Sequence, residues 1–198
     1  KIDAGQYDHL YRNEGPGKPF KEVTREVGMS GNHYGLSATW WDWNQEGWPD
    51  LYIANDFYGP DRLWTNNGPG ADDVVTFTDM TKKSLPHTPW FSMGSDIADV
   101  NNDGWSDLIG PSTSGLWLNV ANTNPGTPFV NQGEIFPSFS HVFNVVLGDY
   151  NNDGFLDAMG YRSGELGDSG PRLYTNNEGT SWTDHRDKFL PTGTSPAW

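Results

Sequence analysis

Three stretches of this chain set oxygen-bearing side chains at alternate positions around a glycine. They are Asp42-Trp43-Asn44-Gln45-Glu46-Gly47-Trp48-Pro49-Asp50, Asp99-Val100-Asn101-Asn102-Asp103-Gly104-Trp105-Ser106-Asp107 and Asp149-Tyr150-Asn151-Asn152-Asp153-Gly154-Phe155-Leu156-Asp157. Positions 1, 3 and 5 carry carboxylate or amide oxygens, from Asp42, Asn44 and Glu46, from Asp99, Asn101 and Asp103, and from Asp149, Asn151 and Asp153. Position 7 (Trp48, Trp105, Phe155) would add a backbone carbonyl, and position 9 (Asp50, Asp107, Asp157) a closing carboxylate. Calcium takes six to eight oxygen ligands in a forgiving geometry, so a short loop with this alternation suits it. Glycine at position 6 permits the sharp turn, whereas magnesium demands a stiffer octahedron and keeps its waters. Up to three calcium ions are expected, the first loop being the weakest because it has Glu46 where the others have aspartate and Pro49 before its last ligand.

An EF-hand would carry a carboxylate at position 12, inside a helix. Here position 12 is Ile53, Gly110 or Gly160, and the residues after position 9 are the apolar runs Leu51-Tyr52-Ile53, Leu108-Ile109 and Ala158-Met159. These suit buried strands. Asp, Asn and Gly are also common turn formers, so a single such stretch could be a polar hairpin without an ion. Three in register favour the cation.

The loops sit inside a longer repeat. Each follows a small or apolar strand, Leu36–Trp41, Met93–Ala98 or Val142–Leu147. A second signature, Leu-aromatic-x-Asn, occurs at Leu10–Asn13, Leu63–Asn66, Leu116–Asn119 and Leu173–Asn176. Outer strands are expected at Phe20–Thr24, Phe77–Thr81 and Trp182–Asp184, with a degenerate counterpart at Pro128–Val130. Four short antiparallel strands in some fifty residues is the period of a β-propeller blade. The expected architecture is all-β, of about three and a half such blades. Residues 1–24 form the outer half of one blade, 25–81, 82–132 and 133–187 three full units with one loop each, and 188–198 a tail. The chain begins at Lys1 without a signal-peptide pattern, so a processed chain or a fragment is expected.

Composition narrows the partners. Twelve Lys and Arg stand against 26 Asp and Glu, giving a formal charge of −14. Three divalent cations would cancel nearly half of it. Such a surface argues against nucleic acid, and the lack of a long apolar run argues against membrane insertion. There is no cysteine, so neither a disulfide framework nor thiol chemistry is available.

The loops, together with Ile53-Ala54-Asn55-Asp56-Phe57, Asn67-Gly68 and Phe91-Ser92-Met93-Gly94, resemble FG-GAP/VCBS repeats of integrin-α-type β-propellers. The flavour is similar to ASPIC/UnbV and cartilage-acidic-protein-like extracellular proteins. The resemblance implies a calcium-binding propeller outside the cell or on its surface, acting in binding or adhesion without catalysis. Its partner would be a protein or a glycan, or further copies of the same chain. Two alternatives remain open: a structural subunit of a homopolymeric surface filament, and a non-catalytic fragment of a larger secreted enzyme.

Outside the loops little suggests chemistry. His33, His87 and His141 recur at intervals of 54, which either gathers them at one mouth or reflects the repeat alone. Trp40, Trp41, Trp64, Trp105 and Trp117 occupy repeat positions that would fill space between blades, while Trp90 and Trp198 are the better surface candidates.

Overall fold

In each unit a polar nine-residue loop separates two short runs that suit strands, so the chain doubles back as a hairpin. The computed structural model describes residues 6–56, 59–85, 87–88, 92–110, 115–133, 142–162 and 170–185. Three four-stranded antiparallel sheets follow one another. The first holds β5 (Gly35–Trp41), β6 (Asp50–Asn55), β7 (Arg62–Pro69) and β8 (Val75–Asp79). The second holds β9 (Asp96–Ala98), β10 (Asp107–Ile109), β11 (Leu116–Asn119) and β12 (Phe129–Asn131). The third holds β13 (Val142–Gly148), β14 (Asp157–Arg162), β15 (Gly170–Asn177) and β16 (Ser181–Asp184). In every sheet the strands lie side by side in chain order, and the Asp/Asn/Gly loop joins the first two.

Before these come β1 (Gln6–Tyr7), β2 (Tyr11–Arg12), β3 (Lys21–Glu22) and β4 (Asn32–His33). β2 pairs with β3, the two outer strands expected of a half unit. The pairing of β1 with β4 was not expected; Gln6 lies opposite His33 there. A single helical turn, α1 (Thr81–Ser84), follows β8. The tail from 186 onward, His141, Trp90 and Trp198 lie outside the described residues.

The core lies in slabs between consecutive sheets. Because strand side chains alternate, each sheet sends one set backward and the other forward. From the first sheet Leu51, Ile53, Trp64 and Phe77 pack backward on Val23, Val27 and Met29. Tyr52, Ala54, Leu63 and Trp41 pack forward on Leu108, Trp117 and Phe129 of the second. Ile109 and Leu116 then meet Val145, Ala158 and Tyr174 of the third. The first aromatic ring of this stack is held edge-on, with Trp41 and Phe129 centroids 5.7 Å apart. Trp41, Trp64 and Trp117 are buried, as repeat positions should be.

Trp40 departs from that expectation and is 50% exposed. It points backward, to where a full sheet would have inner strands and β2–β3 has none. A cavity of about 330 Å³ fills that place, lined by Trp40, Leu36, Leu51, Met29 and Asp8 among others. At the far end of the stack the forward side of the third sheet carries exposed apolar side chains. Val146, Met159 and Tyr161 are there 52%, 41% and 54% exposed.

One buried carboxyl serves the first sheet rather than any loop. The Tyr52 hydroxyl donates to Asp61 Oδ2 at 2.5 Å, and the Asn55 backbone N–H donates to Oδ1 at 2.8 Å. Burial pushes Asp61 up to about 6, outweighing those donors. A carboxyl raised in the folded state favours folding while protonated; its contribution is full below about pH 4 and is lost as pH rises through about 6. Asp61→Asn keeps the site neutral at every pH. Wild-type stability relative to Asp61→Asn is therefore expected to fall by about 2 kcal/mol between pH 4 and 7. A pH-independent difference in urea melts would refute this.

Candidate metal centre

The loops derive their shape from their own side chains. In loop 2 the Asp103 backbone N–H donates to both Asp99 Oδ1 and Asn101 Oδ1 at 3.1 Å, and the Gly104 N–H donates to Asp99 Oδ2 at 2.8 Å. Asn101 Nδ2 donates to Asp103 Oδ2 at 3.1 Å, and the Trp105 N–H to Asp103 Oδ1 at 2.9 Å. Loop 3 repeats every one of these contacts with Asp149, Asn151, Asp153, Gly154 and Phe155. Side chains 1, 3 and 5 thus converge over one turn. That turn requires a left-handed residue at position 4, where Gln45, Asn102 and Asn152 have φ of 55°, 58° and 61°. Asparagine tolerates this conformation well, and glutamine less so.

Loop 1 forms only part of the pattern. The Glu46 N–H donates to Asp42 Oδ1 and Asn44 Oδ1, and the Gly47 N–H to Asp42 Oδ2. No bond from Asn44 or from the Trp48 N–H to the Glu46 carboxylate is described. The extra methylene carries that carboxylate beyond its own backbone.

Position 9 does something the sequence did not signal. Asp50, Asp107 and Asp157 are buried at the head of the second strand. Each accepts from two backbone N–H groups, one at position 2 and one on the Leu-aromatic-x-Asn asparagine. For Asp107 these are Val100 at 3.0 Å and Asn119 at 2.8 Å. For Asp50 they are Trp43 at 3.1 Å and Asn66 at 2.7 Å, and for Asp157 Tyr150 at 3.1 Å and Asn176 at 2.8 Å. The residue expected as a closing ligand is also the clamp between loop and third strand. A carboxylate has about four lone-pair sites, so two remain for a cation.

Burial pushes Asp107 up to about 7, against the pull of the Asn119 and Val100 N–H groups, with Asp103 and Asp99 adding repulsion. Asp50 is pushed to about 6 by burial, with Glu46 and Asp42 adding to the rise. A cation would relieve this crowding. Among the described residues no three Asp, Glu, His or Cys side chains by themselves form a metal-holding group. The fit is a mixed one of carboxylate, amide and carbonyl oxygens, a hard donor set of the kind calcium accepts.

The asparagine of the second signature also reaches out of its own sheet. Asn119 Nδ2 donates to Trp43 O in loop 1 at 2.8 Å as well as to Ser106 O at 3.2 Å. Asn176 Nδ2 donates to Val100 O in loop 2 at 2.8 Å and to Leu156 O at 3.1 Å. Asn66 donates to Pro49 O, inside its own sheet.

The histidines do not gather at a mouth among the described residues. His33 is buried beside β1, and its Nε2 lies 2.4 Å from where a Cβ on Gly31 would stand. His87 is exposed and sits edge-on to Trp117, with centroids 4.8 Å apart.

Stacked four-stranded antiparallel sheets, each opened by the same oxygen-rich loop, define blade-like units of a β-propeller-type repeat protein. Residues 42–110, from the start of loop 1 to the end of the second hairpin, match the FG-GAP-like repeat family. No curated protein matches it.

Proposed function

We propose that this protein is an extracellular, calcium-stabilised scaffold that works by binding a protein or glycan partner and performs no catalysis. The observation that supports it most is the convergence of positions 1, 3 and 5 in loops 2 and 3. Asp99, Asn101, Asp103 and Asp107 would hold one ion, with the Trp105 carbonyl. Asp149, Asn151, Asp153, Asp157 and the Phe155 carbonyl would hold a second. Asp42, Asn44, Glu46, Asp50 and the Trp48 carbonyl would hold a third more weakly. The ion supplies charge neutralisation that lets three crowded carboxylates share one turn, so its binding energy is folding energy. Calcium at the millimolar level of extracellular fluids saturates sites too weak for the cytosol, which is why the reading places the protein outside.

Calorimetric titration tests this directly. Two strong sites and one weaker site are expected at millimolar calcium or below, with magnesium much weaker. No heat of binding at millimolar calcium would reject the reading.

A further inference from the structure

The three loops are joined to one another, not merely repeated. Gln45 Nε2 of loop 1 donates to Gly104 O of loop 2 at 2.7 Å, and Asn102 Nδ2 of loop 2 donates to Gly154 O of loop 3 at 3.1 Å. In both cases position 4 of one loop holds the carbonyl of position 6 in the next. That carbonyl belongs to the peptide between position 6 and position 7. The N–H of the same peptide belongs to position 7 and donates to the position 5 carboxylate, Trp105 to Asp103 and Phe155 to Asp153, so holding the carbonyl steadies the donor that orients that ligand. A second tie runs the opposite way. Asn119 holds Asp107 of loop 2 through its backbone N–H and Trp43 O of loop 1 through its amide. Asn176 does the same for Asp157 of loop 3 and Val100 O of loop 2. The turn of the third sheet also passes close to loop 2, leaving no room for a side chain: a Cβ on Gly179 would meet Asn101 Cα at 3.0 Å.

From this arrangement, and resting on the calcium reading above, we propose that the loops bind cations cooperatively, each ion ordering the turn that the neighbouring loop needs. Gln45 and Asn102 are the positioning residues. Neither is among the five ligands of its loop; each acts on the loop after its own. An ion that orders loop 2 fixes the turn bearing Asn102, so loop 3 has less freedom to lose when it binds. Linkage makes the effect reciprocal, so an ion in loop 3 favours one in loop 2 by the same factor.

Calcium titration of the full chain, read by the separate amide NMR signals of Gly47, Gly104 and Gly154, tests the coupling loop by loop. Asn102→Gly keeps the left-handed backbone and removes only the amide, so loop 3 retains all its ligands. Its calcium affinity, followed at Gly154, is nevertheless expected to fall about fivefold. Gln45→Gly is expected to do the same to loop 2, followed at Gly104, which gives a second boundary should the first variant fold poorly. Asp103→Asn, which weakens the ion in loop 2, is expected to weaken loop 3 in the parent and to a smaller extent in the Asn102→Gly background, where the Asn176 tie remains. Asn152→Gly makes the same change in loop 3, where no bond to a further loop is described, and is expected to leave Gly104 unaffected. Three independent affinities, unchanged by Asn102→Gly and Gln45→Gly, would overturn the coupling and leave calcium binding intact. Glycine signals that do not move at millimolar calcium would overturn the calcium reading and the coupling with it.

Discussion

Removing calcium with a chelator is expected to lower the melting temperature by roughly 10 °C or more. A ligand present at a hundred times its dissociation constant stabilises the folded state by about 2.7 kcal/mol per site. For a chain of this size each kcal/mol is worth roughly 2–4 °C, so two strong loops reach that figure. The same reasoning makes Asp103→Ala conditional. With calcium, the variant loses most of the share of loop 2. Without calcium, it loses two exposed hydrogen bonds, from the Trp105 N–H and from Asn101 Nδ2, and gains relief from the repulsion among Asp99, Asp103 and Asp107. Its melting temperature should then match the wild type to within about 0.5 kcal/mol of stability. Equal melting of wild type in calcium and in chelator would sink the idea, as would a Asp103→Ala defect that persists in chelator.

Asn119→Ala is expected to be the most damaging single change at the metal-bearing edge. The residue is buried, its amide serves two carbonyls in two sheets, and its Oδ1 accepts from the Ala121 N–H at 3.1 Å. Alanine leaves these buried groups without a partner, at about 1–3 kcal/mol for each one that water cannot reach. A total near 3 kcal/mol is expected. Asn66→Ala removes an equivalent side chain whose amide, among the described residues, serves Pro49 O in its own sheet and no second sheet, so it should cost about half as much. Urea unfolding of the two variants decides. Equal losses would mean that the bridge between sheets contributes nothing beyond the local turn.

Much of this is legible in the residues alone. Alternation at positions 1, 3 and 5 forces those side chains to one side of a turn, and the structure puts them there. The Leu-aromatic strand was readable because its two large side chains must face opposite slabs, and Leu63 and Trp64 do. Even the degenerate outer strand was found, as β12, since Phe129 supplies the ring that Trp41 and Trp43 need.

What remained hidden depends on partners distant in the chain. Nothing local in Leu-Trp-Leu-Asn says that Asn119 will hold a carbonyl 76 residues away. Nor does an aspartate at position 9 reveal that a third strand will offer it an N–H. The β1–β4 pairing is two residues long on each side, below what periodicity can detect. Trp40 departs from the sequence expectation for a related reason. Its side-chain type suits the slab, but its burial depends on strands that the half unit in front of it does not possess.

The slabs carry a mechanical consequence. Among the described residues the core clusters join each sheet to the one before or the one after, so the molecule behaves like a short stack of plates in which strength belongs to the joints. The joint between the first and second sheets is the broadest, with Trp41, Trp43, Tyr52, Leu63, Trp117 and Phe129 in one cluster. The joint between the second and third is leaner and contains smaller side chains, with Val100, Val145 and Ala158 among them. Of the two joints between full sheets, the leaner one is expected to part first under a pulling force.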